Sequence, residues 1–155
     1  MNAIHAKRVL SLLILIATAS SAAWAHCQIP CGIYDDEARF EAMLEHVETI
    51  EKSMKQITSL GGREKPDWNQ IVRWVNNKDH HADELSGIAT YYFMAQRIKP
   101  PAADAADAAK KRYAKELSLL HRIVVRAMKA KQTTELDHVT ALRELISEFR
   151  KSYQS

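Results

Sequence analysis

Both cysteines of this 155-residue chain, Cys27 and Cys31, stand in one short stretch, His26-Cys27-Gln28-Ile29-Pro30-Cys31-Gly32-Ile33-Tyr34. The residues before it have the layout of a segment that is removed. Lys7 and Arg8 give a basic start, residues 9–17 a largely apolar run, and Ala23-Trp24-Ala25 a small-residue end, which together make a secretory signal peptide with an Ala-x-Ala cleavage site. Cleavage after Ala25 makes His26 the new N-terminus. A free α-amine, an imidazole, a backbone amide and two thiols then fall within residues 26–31, enough donors to surround one metal ion from a single local loop.

The spacing selects among metals. Structural zinc sites draw Cys and His pairs from two separate places and close a tetrahedron, and this chain has no second cysteine pair. Amine, amidate and two thiolates favour a planar set, and planar nitrogen-rich coordination suits nickel(II) or copper(II). The deprotonated thiol is the form that ligates, and anionic sulfur stabilises the higher oxidation state of a bound metal, so a redox role follows if nickel is bound. The same two cysteines also allow a small Cys27–Cys31 disulfide, which an oxidising compartment favours over free thiolates.

The pattern His-Cys-x-x-Pro-Cys-Gly-x-Tyr at a processed N-terminus resembles the nickel hook of the nickel-containing superoxide dismutases. His26, Cys27, Pro30, Cys31, Gly32 and Tyr34 occupy all its fixed positions. The resemblance implies a nickel cofactor and superoxide as substrate, converted to dioxygen and hydrogen peroxide by Ni(III)/Ni(II) cycling. It implies as ligands the amine and imidazole of His26, the amide nitrogen and thiolate of Cys27, and the thiolate of Cys31. His26 and Tyr34 are then the catalytic residues, with the imidazole an axial ligand engaged when the metal is oxidised and the phenol beside the metal's open face. It further implies a homohexamer of four-helix bundles with the hooks held at subunit contacts.

Two later segments extend the resemblance. Ala38-Arg39-Phe40-Glu41-Ala42 is similar to the region holding a glutamate that steadies the axial imidazole, with a connection one residue shorter, and Asn69-Gln70-Ile71-Val72-Arg73-Trp74-Val75 to the region holding a supporting arginine. Glu41 and Arg73 are the candidates for that outer layer, where a carboxylate accepting from a ligand imidazole fixes its orientation. A solvent-exposed ion pair is the alternative for them. Gln28 stands where the family commonly has an acidic residue. The family's Tyr-Phe-Lys-Pro run is interrupted, with residues 94–98 between Tyr92-Phe93 and Lys99-Pro100, which puts a role for Lys99 as an anion guide in question.

Composition bounds the rest. With 46% hydrophobic and 26% charged residues, the chain fits one compact domain. Removing residues 1–25 takes two of the 22 basic side chains and none of the 19 acidic ones, leaving a nearly neutral protein. No Lys/Arg block interleaves with aromatics, so nucleic-acid binding has no support. The apolar run of the leader falls short of the roughly 20 residues a membrane span needs. The expectation is an exported, periplasmic or extracellular protein without stable membrane insertion. The competing class is a non-enzymatic exported helical protein whose hook only binds nickel or copper.

The elements that must position the hook are helices. Phe40, Met43, Leu44, Val47, Ile50, Met54, Ile57 and Leu60 recur at three- and four-residue steps, an amphipathic stripe. Asp35 and Asp36 are suited to cap this helix, and Gly61-Gly62 to end it in a left-handed conformation. Pro66-Asp67 opens a second helix with Trp68, Ile71, Val72, Val75, Leu85, Ile88 and Tyr92 on its apolar face, which Pro100-Pro101 ends. The Ala-rich residues 102–109 read as the start of a third helix, continuing through Tyr113, Leu117, Leu120, Ile123, Val124 and Met128. Thr133-Thr134 cap a fourth carrying Leu136, Val139, Leu142, Leu145, Ile146 and Phe149.

The fold class is therefore all-α, a four-helix bundle over residues 35–155 with a metal-binding hook at 26–34 behind a leader at 1–25. His80-His81, His121 and His138 lack metal-ligand spacing and read as surface or core histidines. Lys110-Lys111-Arg112 reads as a solvated helix face rather than a steering patch for superoxide.

Overall fold

The computed structural model describes residues 36–155; the leader, the hook and Asp35 lie outside the described residues. Four α-helices follow in order, α1 (Glu37–Gly61), α2 (Trp68–Gly87), α3 (Asp107–Gln132) and α4 (Asp137–Tyr153). A π-helix, Ile88–Arg97, continues α2 without a break. Among the described residues there is no strand. The predicted bundle is what forms, with α1 packed mainly on α2, α3 on α4, and α2–α3 and α1–α4 contacts completing it.

The apolar stripe of α1 is the centre of the core. Phe40, Met43, Val47, Ile50 and Met54 are all fully buried, as the three- and four-residue spacing requires. They meet Leu85, Ala89 and Phe93 from the second hairpin arm, Leu119, Leu120, Ile123 and Ala127 from α3, and Leu142, Ile146 and Phe149 from α4. At one end the aromatic rings converge: Phe40 and Phe93 have centroids 4.8 Å apart and Phe93 and Phe149 5.0 Å apart, with Tyr153 beside all three. Tilted and edge-on rings of this kind add to simple burial.

Several local expectations are corrected. Gly62 closes α1 with its amide on Thr58 O at φ −79°, ψ 0°, a right-handed geometry, so the glycines end the helix without a left-handed turn. Asp36 stands at the N-cap of α1, but its side chain makes no capping bond. Asp67 does cap α2, its Oδ1 accepting from the Gln70 amide at 3.1 Å. The third helix begins at Asp107, not at 102. The Ala102–Ala106 stretch contains a turn closed by the Ala105 amide on Ala102 O at 3.0 Å, and these residues have almost no apolar surface buried against the bundle to reward helix formation. Thr133 accepts from the Glu135 amide at 3.2 Å in the turn before α4, whose N-cap is Leu136.

Trp68 and Val72 are 69% and 56% exposed, against the expectation that they face the core. The cause lies in the lengths of the helices. Lys78 of α2 meets Ala130 and Lys131, almost the last residues of α3, so the part of α2 before Lys78 projects past α3 by roughly 15 Å at 1.5 Å per residue. Among the described residues no third helix covers the tip of the α1–α2 hairpin. Lys78 itself is only 2% exposed. Its ammonium donates to Ala130 O at 2.8 Å, Lys131 O at 2.5 Å and Asp79 Oδ1 at 3.0 Å, joining α2 to the carbonyl end of α3 where a cation is favoured.

Candidate metal centre and the residues that anchor it

His26, Cys27, Cys31 and Tyr34 lie outside the described residues, so what the structure supplies is the platform to which they are joined. Asp36, two residues after Tyr34, is the first described residue. Its carboxylate is a meeting point. Tyr92 O–H donates to Oδ1, while Tyr153 O–H and Arg97 Nη2 each donate to Oδ2 at 2.6 Å. Arg97 Nε also donates to the Tyr153 oxygen at 3.4 Å.

The electrostatics follow from these contacts. Burial works to raise the Asp36 carboxyl, but hydrogen bonds from Arg97, Tyr153 and Tyr92 outweigh it and hold the group below the usual carboxylate range. Burial and the Asp36 charge push the Tyr92 phenol up to about 12 and raise that of Tyr153. Arg97 is held cationic mainly by its bond to Asp36. Both phenols are thus fixed as donors and the carboxylate as an acceptor at neutral pH.

Neighbouring contacts close the same end of the bundle. Glu37 receives Arg150 and, at 3.0 Å, Gln154 Nε2. Arg112 donates to Glu116 Oε1 at 2.8 Å and to Tyr153 O at 2.9 Å. A cleft of about 320 Å³ opens beside them, lined in part by Arg97, Lys99, Arg112, Tyr113, Glu116 and Tyr153. Lys99 therefore stands at this end even though the Tyr-Phe-Lys-Pro run is interrupted. Arg112 is committed to the C-terminal residues rather than to solvent alone.

The structure does not bring Glu41 and Arg73 together. Both are exposed, and no ion pair joins them among the described residues. The hairpin register is set by His46 Nδ1 against His81 Nδ1 at 2.8 Å and by Asn77 Nδ2 donating to Ser53 Oγ at 3.0 Å. Arg73 is then level with the region of Met54, which puts it about 20 Å along the hairpin from Glu41 at 1.5 Å per residue.

Sequence reasoning missed two things here. The clamp on Asp36 was masked by the capping preference of aspartate and by Tyr92 and Tyr153 reading as packing residues; only the odd five-residue step from Tyr92 to Arg97 signalled it. The His46–His81 pair was missed because a cross-helix partner is invisible to spacing within one helix. Burial first, then the neighbouring histidines, hold His46 and His81 below the usual imidazole value, with Glu45 and Glu84 opposing. His80 and His121 are exposed and His138 half-buried against Arg126 Nη1 at 3.0 Å. Among the described residues no group of three or more His, Cys, Asp or Glu side chains could hold a metal ion.

The model of the nickel-containing superoxide dismutase family matches residues 21–155, hook and bundle together. The chain belongs to that family. Among curated proteins and among solved structures, none matches it significantly. The dismutase is an oxidoreductase that takes superoxide as substrate and nickel as cofactor. The donors that residues 26–31 carry, two thiols, an imidazole and backbone amides, are chemically suited to that cofactor, because soft sulfur with nitrogen makes a set that nickel accepts.

Proposed function

We propose that the nickel of this dismutase is held by the hook at its mature N-terminus, by the amine and imidazole of His26, the amide nitrogen and thiolate of Cys27, and the thiolate of Cys31. The observation that carries this reading is the hook motif, complete at its fixed positions, inside a family match that begins at residue 21. Nickel supplies the one-electron source and sink that turns two superoxide ions and two protons into dioxygen and hydrogen peroxide. The chain's own groups do the rest. Cys27 and Cys31 provide anionic sulfur, His26 contributes a nitrogen donor on each side of its Cα, and the Tyr34 phenol orders water and restricts which anions approach.

The amine of His26 exists only after cleavage behind Ala25, so this reading requires the leader to be removed and places the enzyme in the periplasm or outside the cell. It also includes a homohexamer. The separation of Glu41 from Arg73, about 20 Å within one chain at 1.5 Å per residue, supports an assembly in which the two reach one hook from different copies. Trp68 and Val72, exposed on the projecting hairpin tip beside Arg73, supply an apolar patch for that contact.

The test is direct. Cys27→Ser and Cys31→Ser each abolish nickel content and dismutase activity while far-ultraviolet circular dichroism stays that of the wild type. Full activity in either variant refutes the ligand set. Intact-mass measurement of protein from its own host reads a chain beginning at His26; any other start removes the amine and with it this reading of the site.

A further inference from the structure

Asp36 is the residue best suited to cap α1, yet its side chain makes no capping bond. Both of its oxygens face donors from elements far away in sequence, Tyr92 and Arg97 in the π-helix and Tyr153 at the end of α4. A local cap has been exchanged for three tertiary bonds. The π-helix is what makes this possible. In an α-helix, residues five apart point about 140° away from each other at 3.6 residues per turn, whereas i→i+5 winding stacks them on one face. The Ile98 amide on Phe93 O at 2.9 Å is a bond of this register, and Phe93 and Ile98 are both buried on the core side. In the same way Tyr92 and Arg97 come to one side and reach a single carboxylate. The π-helix is rare and is frequently found at functional sites.

The position of this clamp gives it a role. Asp36 is five residues after Cys31 and two after Tyr34, so the clamp holds the first described residue beyond the hook. Arg97 falls within residues 94–98, between Tyr92-Phe93 and Lys99-Pro100, so the cation of the clamp comes from the last turn of the π-helix.

We propose that Asp36, held by Tyr92, Arg97 and Tyr153, is a positioning residue for the nickel site, a mooring that fixes the stem of the hook so that its ligands return to one arrangement. The proposal rests on the hook reading above. A staple that merely joined α1 to α4 leaves the metal unaffected when it is cut. A mooring does not, because outer contacts that orient metal ligands are worth about 10- to 100-fold in metal affinity.

The experiment uses full-length protein processed in its host and compares Asp36→Asn, Asp36→Glu and Tyr153→Phe with wild type. Nickel affinity is read by competition with a chelator, the oxidised nickel by its electron paramagnetic resonance spectrum, and folding by circular dichroism of the metal-free chain. Asp36→Asn weakens nickel binding about tenfold and broadens or shifts the spectrum, while the metal-free protein stays helical at room temperature. Asp36→Glu, which keeps the carboxylate, recovers most of the affinity. Tyr153→Phe keeps the ring among Phe40, Phe93 and Phe149 and loses one donor, giving a smaller change in the same direction; it decides the matter if Asp36→Asn does not fold. Wild-type affinity and spectrum in Asp36→Asn and Tyr153→Phe overturn the mooring, whatever their melting temperatures. A wild-type protein that takes up no nickel overturns the hook reading and the mooring with it.

Discussion

Lys78→Met tests the packing logic of the bundle. The lysine stem is buried where α2 meets the end of α3, and methionine fills nearly the same space, so the change isolates the ammonium. Two carbonyls, Ala130 O and Lys131 O, lose their donor at 2.8 and 2.5 Å, and Ala130 is itself fully buried. A hydrogen bond from a charged donor contributes about 1.5–3 kcal/mol and an orphaned buried acceptor costs about 1–3 kcal/mol. Relief of the ammonium's own desolvation offsets part of this, since exchanging a buried charge for an apolar group is often neutral or stabilising by about 1–4 kcal/mol. The net expectation is a loss of about 3 kcal/mol. The described bundle of residues 36–155 has an unfolding entropy near 0.25 kcal/mol/K at about 2.1 cal/mol/K per residue, so the midpoint falls by about 12 °C. Thermal unfolding of the metal-free protein by circular dichroism measures it. Lys55→Met is the control, because Lys55 pairs with Glu51 on an exposed helix face and such pairs contribute at most about 1 kcal/mol. A midpoint for Lys78→Met no lower than that of Lys55→Met refutes the account of the buried ammonium.

Other consequences are open to the same kind of measurement. Burial disfavours the charged forms of His46 and His81, so the stability they contribute is complete above the unfolded imidazole value of about 6.5 and is lost as pH falls from there through their lowered folded values. Melting temperature therefore declines from about pH 7.5 to 5.5, and His46→Gln, which can still accept or donate across the hairpin, flattens the decline; an unchanged slope removes the pair as its cause. Phe93→Ala empties the centre of the aromatic cluster and costs about 3–5 kcal/mol, read as a fall in the same thermal midpoint well beyond that of any exposed substitution. Trp68→Asp places a charge on the projecting hairpin tip; sedimentation of the purified dismutase then reads smaller species than the wild type, and an unaltered assembly argues that the tip is not a subunit contact.

The helices were legible because their burial follows a single period. The stripe from Phe40 to Met54 is spaced as one face of an α-helix, and nothing in the structure competes with it. Helix ends were harder, since a cap is a local preference of about 1 kcal/mol that tertiary bonds easily outweigh. Asp36 had three tertiary donors within reach and took them; Asp67, at an exposed turn with none, capped as its type predicts. Residues 102–106 show the same competition from the other side, since alanine's helix propensity is too small to hold a segment that has little to pack against. Trp68 and Val72 have the right spacing for a core face, but spacing within one helix says nothing of where its neighbour stops.

Of the candidate site, the hook motif was legible because it is contiguous in the sequence, whereas the contacts that converge on Asp36 are assembled from three distant parts of the chain. Glu41 and Arg73 illustrate the limit. Each sits in a segment that matches the family, yet within one chain the hairpin register holds them far apart, so any joint action on a hook must come through assembly, which no single chain's pattern encodes. The π-helix marks the opposite case, a place where the sequence did carry the signal in an unfamiliar period. Tyr92 with Arg97 and Phe93 with Ile98 are both five-residue pairs, one polar and one apolar, and an α-helical reading must leave one member of each pair on the wrong face. A π-helical reading satisfies all four residues at once and delivers both polar groups to Asp36. Segments in which polar and apolar pairs share a five-residue step are therefore worth reading as π-helix, and as candidates for building a site, before they are dismissed as a broken α-helical pattern.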